Sequence, residues 1–299
     1  MINVLLTSSP CMPKIDLHSH STISDGSYTP AELVTYAASK GVEIMALTDH
    51  DDVGGLAQAR IVAEELGVSL INGVEISVTW NKRTIHIVGL RVDPSHPGLL
   101  AGLESIRAGR LTRAVAIAAE LDKAGITGSL EGSRAYARER IISRTHFARF
   151  LVAQGYAKDV KTVFKKFLVK GKPGHVSHQW ADMSDAIGWI RNSGGVAVLA
   201  HPGRYDMGKT TLHGLFNTFK EAGGEAVEVV SGSHTVDQYR IFAEFAQLYE
   251  LQASAGSDYH GPAHNYFDMG RLPPLPSGCV PVWQGWPELA QFEARRISA

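Results

Sequence analysis

The sequence predicts a β/α barrel interrupted by a mainly helical, basic insertion, and three observations carry that prediction. Strand and helix signals alternate over most of the chain. Histidines and carboxylates collect where the strand signals end. Residues 101–172 break the rhythm: they are helical in composition and hold 15 Lys and Arg against 6 Asp and Glu.

The elements follow in order. Lys14–His20 reads as a strand ending in polar residues, and Thr29-Pro30 opens a helix that runs to about Lys40 and stops at Gly41. Val42–Thr48 is a second strand, ending in Asp49-His50-Asp51, and the helix after it stops at Gly67. Ser69–Trp80 and Thr84–Val92 form two strands joined by the turn Asn81-Lys82-Arg83. From about Leu99 to Gly174 no strand is evident. Helices near Asp182–Asn192, Thr211–Ala222 and Val236–Leu248 then alternate with strands Val196–His201, Ala226–Ser231 and Ala253–Ser257. Such βα repetition implies parallel strands with helices outside.

The expected division is a tail over residues 1–13, a barrel over 14–99 and 175–299, and an insertion over 100–174 that recognises substrate. A chain of 299 residues suits one large α/β unit of this kind. Met12 is an alternative start, and the first 13 residues lack the basic region of a signal peptide. No apolar run approaches a membrane span. Cys11 and Cys279 make no disulfide framework, so a reducing cytoplasm is expected. The net charge of −1 conceals a balance of +9 over residues 101–172 and −10 over the remainder. The acidic part suits cations and the basic part suits a polyanion, although a solvated helical surface would look similar.

The chemistry gathers at strand ends. His18 and His20 lie two apart, which on a strand turns both side chains to one face, and Asp258 and His260 repeat that spacing. Asp25, His50, Glu75, His86 and His201 complete a set of nine. Barrel active sites form at the C-terminal ends of strands, so these groups can converge. Imidazoles suit zinc, manganese or iron, and carboxylates bridge two cations. A lone His-x-His is more often structural than a ligand, but nine such groups in this pattern argue for metal.

The motifs Asp16-Leu-His18-Ser-His20, Asp25-Gly26, Thr48-Asp-His50-Asp51, Gly73-Val-Glu75, His86, Ala200-His201-Pro202 and Gly256-Ser-Asp258-Tyr-His260 resemble, in family order, the PHP (polymerase and histidinol phosphatase) family. Arg144-Thr-His146-Phe-Ala-Arg149-Phe, Gly171-Lys172-Pro-Gly and His201-Pro-Gly-Arg204 resemble a bacterial branch of it. That branch acts as a 3′,5′-nucleotide bisphosphate phosphatase and 5′-to-3′ exoribonuclease. The resemblance implies a distorted (β/α)7 barrel with three ions, manganese favoured over iron or zinc. It assigns His18, His20, Glu75 and Asp258 to one ion. Glu75, His86 and His201 hold a second, and Asp25, His50 and His260 a third. It also implies the direction of attack, at the 5′ phosphate and from the 5′ end of RNA.

Clustered cations generate hydroxide from water near neutral pH and draw charge off phosphoryl oxygens, so the expected mechanism has no covalent enzyme intermediate. Asp49 or Asp51 would orient a ligand imidazole, with an N-cap before Val53 the alternative for Asp51. Arg204, beside His201, is the first candidate to bind substrate phosphate, then Arg144, whereas Arg149 reads as a helix-surface charge. Lys170 and Lys172, around Gly171, are either phosphate contacts or an exposed turn. His178 and Trp180 would stack on a base, with core packing the alternative for Trp180. Expected partners are nucleotides and short RNA, with no membrane and no protein partner. A histidinol-phosphate phosphatase is the alternative enzyme, disfavoured by the basic insertion, and a non-catalytic PHP module is the alternative without chemistry. A general nucleic-acid binder would need a recognition signature that is missing here.

Overall fold

A computed structural model describes residues 12–137, 141–262, 267–290 and 292. Most of the expected N-terminal tail, including Cys11, lies outside the described residues. In order, the elements are β1 (Ile15–Asp16), α1 (Pro30–Ser39), β2 (Ile44–Leu47), α2 (Leu56–Leu66), β3 (Ser69–Trp80) and β4 (Arg83–Leu90). Then come α3 (Pro97–Lys123), α4 (Ser129–Ala137), α5 (Arg144–Ala153), α6 (Val160–Val163) with a π-turn at Phe164–Leu168, and β5 (Ala181–Asp182). The chain continues through α7 (Met183–Asn192), β6 (Val196–Leu199), α8 (Lys209–Glu221), β7 (Ala226–Ser231), α9 (Val236–Leu248) and β8 (Gln252–Gly256).

Local chemistry sets the boundaries. Thr29 caps α1 while Glu32 reaches back to the Thr29 amide at 2.8 Å, a reciprocal capping box. Gly67 ends α2 in the left-handed conformation, φ 70°. Asn81 and Lys82 have φ 46° and 59°, the mirror-image turn that suits a two-residue hairpin.

The sheet runs β1-β2-β3-β4-β6-β7-β8, with β5 beside β3. It nearly closes, because Leu17 donates to Ala255 O (2.9 Å), His20 to Tyr259 O (2.8 Å) and Asp258 to His18 O (2.9 Å). Neighbours are parallel except around β4, which is antiparallel to both β3 and β6. The tight Asn81–Lys82 hairpin leaves no room for a crossover helix, so the βα repeat breaks there and the barrel is distorted. Two expectations change. The first strand pairs with β2 only at Ile15–Asp16, because the residues after it turn toward the β8 side. β5 had no sequence signal, being two residues placed by the preceding loop.

Period-two alternation fills the barrel. Ile44, Ala46, Ile71, Val88, Val198, Ala200, Ala226 and Val230 pack inside, joined by Val282, Trp283 and Trp286. Met45, Leu47, Ala197, Leu199 and Val227 face the outer helices. α3 is bipartite. Leu99, Leu103 and Ile106 pack with the barrel's outer layer, whereas Ala114, Ile117 and Leu121 join Phe147, Leu151, Val163 and Leu168 in a separate apolar cluster. The buried Arg110 lies at the junction. No described helix is long and apolar enough to cross a membrane.

Candidate metal centre

Glu75 and His86 lie within strands, yet both reach the rim. β2 ends opposite Asn72, so β3 overshoots it and places Glu75 beside His50. His86 lies one residue beyond the β4 position paired with Leu199, the last residue of β6. His18 and His20 leave β1, and His201 and Asp258 follow β6 and β8 in left-handed conformations, φ 29° and 56°. Such conformations cost about 1–3 kcal/mol in a non-glycine residue and gather at functional sites. Two glycines permit the approach of the surrounding chain. A Cβ on Gly26 would sit 2.2 Å from His20 O, and one on Gly256 would sit 2.3 Å from His18 Cβ.

All nine sequence-predicted groups converge. The Nε2 atoms of His18 and His20 are 3.0 Å apart, and Asp258 Oδ1 lies 3.5 and 3.3 Å from them. Glu75 is central: its Oε1 lies 2.8 Å from His86 Nδ1 and 2.9 Å from His201 Nε2, and its Oε2 lies 2.7 Å from His50 Nδ1 and 3.4 Å from His20 Nε2. Asp25 Oδ1 is 3.2 Å from His260 Nε2 and 3.7 Å from His50 Nε2. Three sets present ligand atoms within 4.8 Å of one another: His20, Asp25, His50 and His260; His18, His20 and Glu75; His50, Glu75 and His86.

The electrostatics fit cations. Asp25 Oδ1, His50 Nδ1, Glu75 Oε2, His201 Nδ1 and Asp258 Oδ1 are buried without a hydrogen-bond partner. Buried lone pairs of this kind are costly unless satisfied. Burial pushes the Glu75 carboxyl up, but His86, His50 and His18 outweigh it and hold the group well below the carboxylate range. Burial, then His260 and His50, pulls His20 down to about 3. Burial also lowers His260, but Asp25 and Asp258 prevail and raise it to about 9. The donor set, imidazole nitrogen and ionised carboxylate, fits transition-metal cations.

Glu228 was not anticipated. It points into the barrel on the same strand face as Ala226 and Val230 and is buried. Its Oε1 lies 2.6 Å from His18 Nδ1, and its Oε2 accepts the His201 amide at 2.6 Å. It thus orients one imidazole and the backbone of another. A lone acid inside Ala-Val-Glu-Val-Val was the available signal.

The residues flanking His50 act differently. Asp49 accepts from Ser21 N (2.8 Å), Ser21 Oγ (2.6 Å) and Ser24 Oγ (2.6 Å), and reaches His20 only through Ser24, 3.4 Å from Nδ1. Asp51 is no cap, because α2 begins at Leu56 behind Gly55. It accepts from Ser77 N at 2.7 Å and Arg110 Nε at 2.6 Å. Arg149 is not a surface charge: it donates to Asp25 O at 2.7 Å, and Ser143 Oγ lies 3.1 Å from Asp25 Oδ2. The helical layer therefore grips the Asp25 and His50 loops.

A cavity of about 160 Å³ opens over the cluster. Asp25, His50, His86 and His260 line one side, and Arg110, Arg113, Arg144 and Arg204 also line it. Arg204 is half exposed and pairs with Asp258 Oδ2. Lys170 and Lys172 are exposed and do not line the cavity. His178 does not line it either and packs on Trp180, ring centres 4.2 Å apart. Trp180 is buried, donates to Thr84 Oγ1 at 3.1 Å, and forms cavity wall. Packing therefore accounts for it.

Fold and site together define a barrel that gathers candidate cation ligands at one rim, the class of the metal-dependent phosphoesterases. The PHP domain model matches residues 16–229, and the chain belongs to the PHP family. It is 51% identical over 274 residues to a 3′,5′-nucleoside bisphosphate phosphatase of Chromobacterium violaceum, covering 91% of this chain and 96% of that protein. It is 44% identical to the 5′-3′ exoribonuclease Rnm of Escherichia coli, covering 94% and 97%. A solved Chromobacterium violaceum chain described as an amidohydrolase, with bound sulfate and no metal, superposes with a TM-score of 0.88 at 50% identity, over 94% of this chain and 96% of that one.

Proposed function

We propose that this chain is a metal-dependent phosphoesterase that releases the 5′ phosphate of 3′,5′-bisphosphonucleotides and removes nucleotides from the 5′ end of short RNA. One observation carries the reading: four of the nine candidate ligands, Asp25, His50, His86 and His260, share a single cavity with four guanidiniums. The relatives named above act on a nucleoside bisphosphate and on RNA, which supports the substrate class. A histidinol phosphate, cationic at one end, suits this arginine-rich wall poorly.

His18, His20, Glu75 and Asp258 would hold one ion, Glu75, His86 and His201 a second, and Asp25, His50 and His260 a third. The proposed metal is manganese. Divalent cations there would acidify water and neutralise charge on the phosphoryl oxygens. The protein's own part is positioning. Glu228 accepts the His18 Nδ1 proton and so leaves Nε2 as the lone-pair donor. Glu75 offers each oxygen to different imidazoles and so ties the groups into one array. Arg204, fixed by Asp258, keeps further N–H donors for a nonbridging phosphate oxygen. The proposed location is the cytoplasm, in keeping with the free thiol of Cys279.

Short RNA labelled at either end, digested by the manganese-loaded protein, tests the polarity. The expected result is early release of label from the 5′ end. Early release of 3′ label, or internal cuts with both ends intact, would contradict it.

A further inference from the structure

The turn that follows β6 is attached to the rim at three points. His201 Nε2 lies 2.9 Å from Glu75 Oε1, Arg204 pairs with Asp258, and Tyr205 Oη accepts the His86 amide at 2.9 Å. The turn also begins in a left-handed residue, His201 at φ 29°. A conformation of that kind persists only where the surroundings hold it. Glu228 accepts the His201 amide at 2.6 Å. Pro202 has no N–H to offer, so the next donor along the turn is Gly203.

Both backbone polar groups of Gly203 are taken by side chains from the start of α9. Its N–H donates to His234 Nε2 at 3.0 Å, and its carbonyl accepts from Gln238 Nε2 at 3.1 Å. His234 is buried, its ring centre 4.8 Å from that of Phe242 and its Nδ1 3.1 Å from Val229 O. A carbonyl only accepts, so Nδ1 carries the ring proton and Nε2 keeps the lone pair that Gly203 uses. Gln238 Oε1 accepts the Thr235 amide at 2.8 Å, which fixes the carboxamide at its other end. The approach is close enough to require glycine: a Cβ at position 203 would sit 2.7 Å from both Gln238 Nε2 and His234 Cδ2. Neither His234 nor Gln238 lines the cavity.

We infer that His234, with Gln238, is a positioning residue: the pair clamps Gly203 and thereby aims the His201 imidazole on one side and the Arg204 guanidinium on the other. This rests on the reading of the rim as a metal centre and deepens it, since α9 then supports a ligand it does not touch.

Two carboxamides separate the ring nitrogens. In His234→Gln the amide reaches the place of Nε2 and can accept from Gly203. In His234→Asn it reaches only the place of Nδ1, keeping the bond to Val229 and losing the one to Gly203. The first measurement needs neither metal nor substrate: hydrogen–deuterium exchange in a fragment covering residues 201–206 of the metal-free protein. His234→Asn should speed exchange there at least about tenfold, and His234→Gln should stay within about threefold of wild type. Equal exchange in the two variants would overturn the clamp. Gln238→Glu keeps the cap on α9 and loses the donor to Gly203, so it should speed exchange in the same fragment. Should His234→Asn not fold, Gln238→Glu decides, and unchanged exchange would overturn the clamp. The second measurement is manganese affinity by competition with a chelating dye, with His201→Ala as reference. His234→Asn should weaken binding about tenfold, with His234→Gln close to wild type. Unchanged affinity in His234→Asn beside a loss in His201→Ala would overturn the clamp and leave the metal centre standing. Unchanged affinity in both would overturn the metal role of His201, and the clamp's purpose with it.

Discussion

The barrel rim and the helical layer above it are unsatisfied in opposite ways. At the rim, lone pairs of Asp25, Glu75, Asp258, His50 and His201 are buried without hydrogen-bond partners. Across the same cavity, Arg113 and Arg144 are cations without carboxylates among the described residues. Each region alone would be poorly designed for stability, since unmatched buried polar groups cost about 1–3 kcal/mol apiece. Facing each other across one cavity, the two sets are complementary in charge. The two regions are also joined mechanically, because Ser143 and Arg149 grip Asp25, and Arg110 grips Asp51. The helical layer and the candidate metal ligands thus share loops.

The largest effect is expected at the centre of the rim. Glu75→Ala removes the carboxylate whose oxygens reach His50, His86 and His201. It should cost on the order of 10³-fold in kcat together with bound metal. Elemental analysis alongside steady-state kinetics checks this. A variant that kept full metal content and activity would break the account of the rim.

A smaller effect is expected behind the ligands. Glu228→Gln keeps the shape but weakens the hold on His18 Nδ1 and on the His201 amide. Metal affinity should drop about 10- to 100-fold, read by competition with a chelating dye, with recovery of activity at high manganese. A loss of activity that manganese could not restore would show that Glu228 does more than orient ligands.

The smallest effect belongs to the helical layer and appears in pH. His146 is buried in α5, and its Nδ1 accepts the Ser143 amide at 3.1 Å. Burial lowers its pKa from 6.5 to about 4 despite the attraction of Asp25. Between those values the unfolded chain binds the extra proton, so this group's contribution to stability is full above about 6.5 and is lost as pH falls toward 4. His146→Gln should therefore flatten the fall in Tm between pH 6.5 and 4 relative to wild type. An unchanged slope would place the acid sensitivity in the rim imidazoles, His20 and His86, instead.

Much of this was legible in the sequence because short-range chemistry marks it. Thr29-Pro30 with Glu32, the stop at Gly67 and the alternation in Ala226–Ser231 each fix an element locally. Most of the nine rim residues were legible because imidazole and carboxylate side chains end or follow apolar runs, whereas Glu75 and His86 sit inside strands. What escaped depends on contacts far apart in the chain. Glu228 meets His18 across 210 positions, and Arg149 meets Asp25 across 124. The reversal of β4 was implicit in its hairpin, but its consequence, a distorted barrel, requires the whole sheet. Arg113 had no motif to mark it among fifteen basic residues of its segment. Lys170 and Lys172 drew notice through a glycine turn that faces solvent.

The central claim of the proposed function is that the 5′ phosphate of a 3′,5′-bisphosphonucleotide is the one attacked at the rim. Adenosine 3′,5′-bisphosphate labelled with radioactive phosphorus at either the 5′ or the 3′ position tests it directly. The account predicts that free phosphate carries the 5′ label and that the nucleotide product is adenosine 3′-monophosphate. Free phosphate carrying the 3′ label, with adenosine 5′-monophosphate as product, would contradict it.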